Sequence, residues 1–307
     1  MLAILFKTLP FFALIALGYW AGRTRFFTEE ATAYLTKFVF YFALSAMIFR
    51  FSANLELAEV WDGKLVAAYL CGTLAVYLIA TAVARIRGLD LQTGAIEAQC
   101  AVIGNAGFLG LPMLALLFGP QAIGPVMLVL ATDLIVFSSL IVILITIGRD
   151  GRMSLSILRT IGIGLIKNPM IVAMTLGLTC AGLDIPIPAP MNDFLGILGG
   201  AATPGALFAI GASLASKSTE RIEIAAWLSF CKLVLHPLAV TIYALYIFDV
   251  EPFGAAMIIV CAAMPVAGNI YMLAQHYGVA PQRVSAAILV STALSVGSLT
   301  AVIAWIS

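Results

Sequence analysis

Ten stretches of this chain are almost uncharged and run for about 20 residues, the length at which a helix crosses the hydrocarbon core of a bilayer. They cover residues 3–22, 32–50, 64–84, 94–118, 122–148, 168–183, 191–216, 222–247, 253–277 and 283–306. Barrel strands would alternate over roughly 10 residues, and these runs do not. Of the 307 residues, 63% are hydrophobic and 10% charged, against about 25% charged in a soluble domain. So little polar surface cannot face water, and the chain reads as an all-α integral membrane protein. The formal net charge of +1 excludes a basic nucleic-acid binder and an acidic disordered tail.

Charge in the connections sets orientation. After segments 1, 3, 5, 7 and 9 stand Arg23 and Arg25; Arg85 and Arg87; Arg149, Arg152, Arg159 and Lys167; Lys217 and Arg221; and Arg283. The opposite side holds Lys7, Arg50 and Lys64, with Glu56, Glu59 and Asp62 as solvated loop charge. The odd-numbered loops are therefore expected in the cytoplasm and both termini outside. In the first segment positive charge comes after the apolar stretch, opposite to a signal peptide, so it reads as a retained helix. Residues 153–166, with Arg159, read as a helix lying on the membrane surface.

An internal repeat shows at an offset of 159 residues. Pro10 meets Pro169, Leu17 meets Leu176, Gly18 meets Gly177, Met113 meets Met272 and Gly119 meets Gly278. Each unit holds five segments, an odd number, so the second copy is expected upside down relative to the first. The fold expected is ten transmembrane helices in two inverted five-helix repeats, a plan common to secondary transporters.

Two segments carry helix breakers at mid-membrane depth. Segment 4 contains Gly104-Asn-Ala-Gly-Phe-Leu-Gly-Leu-Pro112, and segment 9 contains Met264-Pro-Val-Ala-Gly-Asn269. Proline removes a backbone donor and glycine lets the chain leave the helix. Irregular backbone at that depth must be buried or line a cavity. The half-helix N-termini then offer N–H groups to an anion, and freed carbonyls can hold a cation. Gly104, Asn105, Gly107, Pro112, Pro265, Gly268 and Asn269 are therefore the candidate substrate-binding residues. Each asparagine can serve a ligand through its amide or simply cap its broken helix, and each proline can be an ordinary kink.

Charge inside a bilayer is costly and usually functional. Asp133 lies mid-way along segment 5, and Lys232 and His236 lie one turn apart on segment 8. Either Asp133 and Lys232 form a structural pair, or the three residues couple transport to H⁺ or Na⁺. His236 precedes Pro237 and can also be a hydrogen-bonded structural residue. Glu97 and Gln99, near the start of segment 4, belong either to the cytoplasmic interface or to an entry path. Gly18-x-x-x-Gly22 and Gly196-x-x-x-Gly200 read as helix-packing motifs.

The cysteines Cys71, Cys100, Cys180, Cys231 and Cys261 stand singly in apolar segments, as small hydrophobes rather than a metal or disulfide framework. No phosphate loop, zincin motif or nucleophile elbow is present, so neither an enzyme nor an ATP-driven pump is expected, and no cofactor.

The two crossover motifs, with Phe118-Gly119 and Tyr277-Gly278, resemble the auxin efflux carrier family, in its bacterial branch of malonate- and malate-permease-like proteins. The resemblance spans essentially the whole chain. It implies a fold in which residues 1–50 and 153–216 form scaffold and dimerisation helices, while residues 64–148 and 222–307 form a transport domain with helices 4 and 9 crossing at its centre. It further implies elevator-type exchange of a small organic anion across a bacterial inner membrane by a homodimer in contact with membrane lipids. The long cytoplasmic loop of the plant carriers is missing here, where residues 149–167 join segments 5 and 6. The competing expectation is a receptor or sensor that kept the fold and lost transport.

Overall fold

The structure, a computed structural model, describes residues 2–54, 62–150, 155–215 and 222–306. Glu56, Glu59, Arg152, Lys217 and Arg221 lie outside the described residues. The described chain is helical throughout, without a strand. Its helices are α1 (Leu2–Arg23), α2 (Glu29–Ala53) and α3 (Gly63–Ile86), α4 (Leu91–Val102), α5 (Ala106–Phe118) and α6 (Pro120–Arg149), α7 (Leu155–Lys167), α8 (Pro169–Gly182), α9 (Ala189–Leu214) and α10 (Ile222–Ile247), α11 (Pro252–Ala262), α12 (Asn269–Tyr277) and α13 (Pro281–Ile306).

Local chemistry sets the starts and stops. Asp62, Asp90, Asn168 and Glu251 each accept backbone N–H bonds at the first turn of α3, α4, α8 and α11, satisfying donors that a helix start leaves open. Gly278 ends α12 in the left-handed conformation at φ 69°, where glycine carries no Cβ penalty. Among the described residues six helices (α2, α3, α6, α9, α10 and α13) are long and apolar enough to cross a membrane, and α7 with α8 makes a seventh candidate if that pair, bent by 71°, is one span. Segments 94–118 and 253–277 do not pass as single helices because each is cut in two, into α4 with α5 and α11 with α12.

The helices pack in two groups. In the first, α1 lies along α9, and α2 is flanked by α8 and α9. Missing side chains allow this closeness. A Cβ on Gly18 would stand 2.1 Å from the Phe208 carbonyl, and one on Gly211 only 1.9 Å from that of Ile15. Gly177 meets the Phe49 carbonyl of α2 in the same way. In the Gly196/Gly200 motif the close contact is made by neither glycine. Gly199 abuts Met47 of α2, Gly196 faces the Arg50 guanidinium and Gly200 borders open space.

The second group joins α3, α4, α6, α10, α11 and α13, with α12 resting on α13. Ile96 of α4 and Leu109, Leu111, Met113 and Leu114 of α5 are fully buried. The outside is apolar too, with Leu78, Ile79, Ile197, Tyr246 and Trp305 all exposed. An apolar core under an apolar surface is the pattern of a helix bundle solvated by lipid.

Candidate functional site

The two helix breaks meet. Gly104 and Val266 form an isolated antiparallel bridge. The Asn105 N–H donates to the Pro265 carbonyl at 2.9 Å, and the Ala267 N–H donates to the Ile103 carbonyl at 3.1 Å. Each break thus satisfies polar backbone that the other leaves open, which is what irregular chain needs where no water reaches it. The Val266 N–H is held by Ser291 Oγ of α13 at 3.1 Å.

The breaks are built differently. In the first, Ile103 turns extended and Asn105 begins a wide π turn, accepting from the Phe108 N–H through its side chain at 3.3 Å. Pro112 lies beyond this turn, in the first turn of the next α-helical stretch, so the opening itself is made at Gly104 and Asn105. Gly107 sits inside the π turn, and its missing Cβ leaves room for Met170 of α8. In the second break Pro265 is in the crossing and hydrogen-bonded across it. Gly268 precedes α12 and borders open space. Asn269, the first residue of α12, keeps its Oδ1 buried and without a partner, unlike the capping amide of Asn105.

Lys232 approaches this crossing from α10. It is fully buried and lies in a π-helical turn, Cys231–Leu235, a distortion found often at functional sites. Its ammonium donates to the Ala262 carbonyl at the end of α11 and meets His236 Nδ1 at 3.0 Å. On its far side His236 Nε2 is 2.9 Å from Thr73 Oγ1 on α3. A Cβ on Gly104 would stand 3.1 Å from the Lys232 Nζ, so the glycine makes space for the ammonium beside the bridge.

Asp133 belongs to the same region without pairing directly with Lys232: no ion pair joins them. It opens a second π turn, Asp133–Phe137, and its carboxylate accepts from the Tyr69 hydroxyl at 3.0 Å. The Tyr69 ring lies 5.8 Å from that of His236. The two charged residues thus stand at the ends of a buried polar chain running through α3.

Glu97 is buried and bonded to Arg87 at 2.7 Å and to Arg283. It lies among the cytoplasm-assigned arginines, tying the end of α3 to the start of α13. Tyr69, Thr73 and Ser291 are contributors that sequence reasoning missed. Hydroxyl residues are frequent in apolar helices, and only the packing of α3 against α6 and α10 gives Tyr69 and Thr73 their roles. The five cysteines are free, three buried and two half-buried. Among the described residues no three His, Cys, Asp or Glu side chains gather as a metal site would.

An apolar helical bundle with paired, mutually bonded breaks and buried charges at its centre is an integral membrane protein organised around a polar crossing. The chain belongs to the family described as "Membrane transport protein", whose model matches residues 3–303, and is a transporter rather than an enzyme. Over 304 residues it is 29% identical to a Rhizobium meliloti (strain 1021) protein named "Putative malonate transporter", covering 95% of this chain and 92% of that protein. Over 300 residues it is 26% identical to the "Uncharacterized transporter YfdV" of Escherichia coli (strain K12), covering 92% of this chain and 91% of that one.

Proposed function

We propose that this protein is a secondary transporter of small organic anions, of the size and charge of malonate, in a bacterial inner membrane. The observation that carries the reading is the reciprocal crossing of two broken helices, with Asn105, Asn269 and a buried ammonium gathered beside it. An anion leaving water must exchange its hydration for fixed donors. Here the donors are the open N–H groups at the starts of α5 and α12 and the two amides, with helix ends that favour negative charge. The open space beside Gly268 gives a ligand room at the start of α12.

Packing supports an assignment of parts. The ten sequence segments form two inverted repeats of five, related at the crossing. The group containing α1, α2, α8 and α9 is the scaffold and the homodimer surface. The group around the crossing is the transport domain that moves against it, alternating access as an elevator does. Asp133, Lys232 and His236 serve coupling. Counterflow in proteoliposomes, run with acetate, malonate and malate, tests the function. Exchange of at least one of these acids is expected, weakened in both Asn105→Ala and Asn269→Ala. A correctly folded protein that exchanges none would be a sensor or receptor on the same fold.

A further inference from the structure

We propose that the Lys232 ammonium is the resident cation of the helix crossing, so that the protein binds its carboxylate without Na⁺. The inference rests on the carboxylate-transport reading and adds the identity of the positive charge.

A broken helix frees carbonyls, and freed carbonyls in a dry site invite a cation. At this crossing four of them are already engaged. The Ile103 carbonyl accepts from Ala267, that of Pro265 from Asn105, and that of Cys261 from Met264. The Ala262 carbonyl, at the negative end of α11, accepts from Lys232. A tethered ammonium stands where a free ion would be wanted, at the helix end that favours positive charge.

Its surroundings hold it there. An ammonium has three donors and no acceptor. One goes to Ala262 and one to His236 Nδ1. With Nδ1 accepting, His236 is neutral and its Nε2–H donates to Thr73 Oγ1. Gly104 leaves the space in which Nζ sits. The charge is also left uncancelled by any direct ion pair. Asp133 on α6 is bound by Tyr69 of α3, Glu97 on α4 is bound by Arg87 and Arg283, and Cys261 on α11 is a neighbouring thiol. The ammonium thus borders the crossing directly, while the Asp133 carboxylate, which attracts it from α6, is held by Tyr69 and makes no ion pair with it. A bound carboxylate at the crossing would find in the ammonium a direct partner without a second cation.

Malonate is the probe, with purified full-length protein melted at constant ionic strength in Na⁺, K⁺ or N-methylglucamine. The expected result is malonate stabilisation with an apparent affinity equal within about twofold in all three. Lys232→Ala is expected to weaken malonate binding about tenfold or more, with partial recovery on adding methylammonium, which fits the vacated space. A tenfold loss of wild-type affinity on removing Na⁺ would overturn the inference while leaving the transport reading intact. So would a Lys232→Ala protein that binds malonate unchanged. The wild-type comparison decides the matter even if that variant fails to fold. No response to acetate, malonate or malate in any salt would sink both readings.

Discussion

Asn105 and Asn269 stand on the two sides of one crossing and serve their own helices in opposite ways. Asn105 caps its turn through Phe108, whereas the Asn269 oxygen is buried and idle. Removing a cap costs about 1 kcal/mol. Removing an idle buried acceptor costs the folded protein little, because nothing is left unpaired. Asn105→Ala is therefore expected to melt lower than wild type, and Asn269→Ala to melt at or above it. If both amides meet substrate, each variant should bind malonate more weakly by about 1–3 kcal/mol. Thermal melts with and without malonate read both quantities. Equal destabilisation with unchanged affinity would make both residues structural. Glu97 differs again, since it neutralises two arginines from inside the protein. Glu97→Ala leaves Arg283, its side chain only 14% exposed, without a counter-charge, and is expected to cost about 3 kcal/mol. Chemical denaturation in detergent measures it. Glycine, proline and asparagine inside apolar runs made the crossing legible from sequence. The Tyr69–Asp133 and Thr73–His236 contacts were not, because a hydroxyl on an apolar helix names no partner until the distance between helices is known. Pro112 marked the right segment but not the point of opening, since it stands in the first turn of the following α-helical stretch, where a proline is tolerated.

At the scale of elements, close approach and capping decide stability. A methyl group on Gly211 would fall 1.9 Å from a backbone carbonyl of α1, while one on Gly200 meets nothing. Backbone cannot yield as a side-chain tip does, so Gly211→Ala is expected to cost at least about 1–3 kcal/mol. Gly200→Ala should be neutral or slightly stabilising, alanine being the better helix former. Similar melting temperatures for the two would refute the close packing of α1 on α9. The start of α4 offers a test by pH. Asp90 accepts from the Thr93 N–H and hydroxyl, and the backbone bond first of all holds its carboxyl below the usual range. A lowered folded-state value means the contribution is complete at neutral pH and is lost as pH falls through that value. Asp90→Ala should cost about 1 kcal/mol at pH 7. Asp90→Asn should keep the cap and flatten the acid side of the stability profile. An identical acid limb in wild type and Asp90→Asn would remove the carboxylate from the account.

At the scale of the molecule, contacts between helix ends bear on the inverted repeat. Glu97 draws the loops after segments 3 and 9 to one end through Arg87 and Arg283. Gly22, at the end of α1, lies against Ala212 and Ala215 at the end of α9, so the loops after segments 1 and 7 also share an end. Arg50, closing α2, donates to Asn192 near the start of α9 at 3.0 Å, which joins the loops after segments 2 and 6. Odd loops meet odd and even meet even, as segments that cross alternately require. Five crossings in each half, as proposed, would give the halves opposite orientation, with the basic odd loops on the cytoplasmic side. In a background lacking the five native cysteines, single cysteines introduced between residues 149 and 159 should then react with an impermeant maleimide only from the cytoplasm. A tag after the last residue should be reached only from outside. Labelling the same residues in inside-out and right-side-out vesicles gives the comparison. A tag reached from the cytoplasm would mean an odd number of crossings. Segment 168–183, short and bent away from α7 by 71°, would be the first to lose its place as a span. The antiparallel relation of the two halves would fall with it. Three crossings, an odd number, would then lie between the two broken segments, which would point the same way through the membrane.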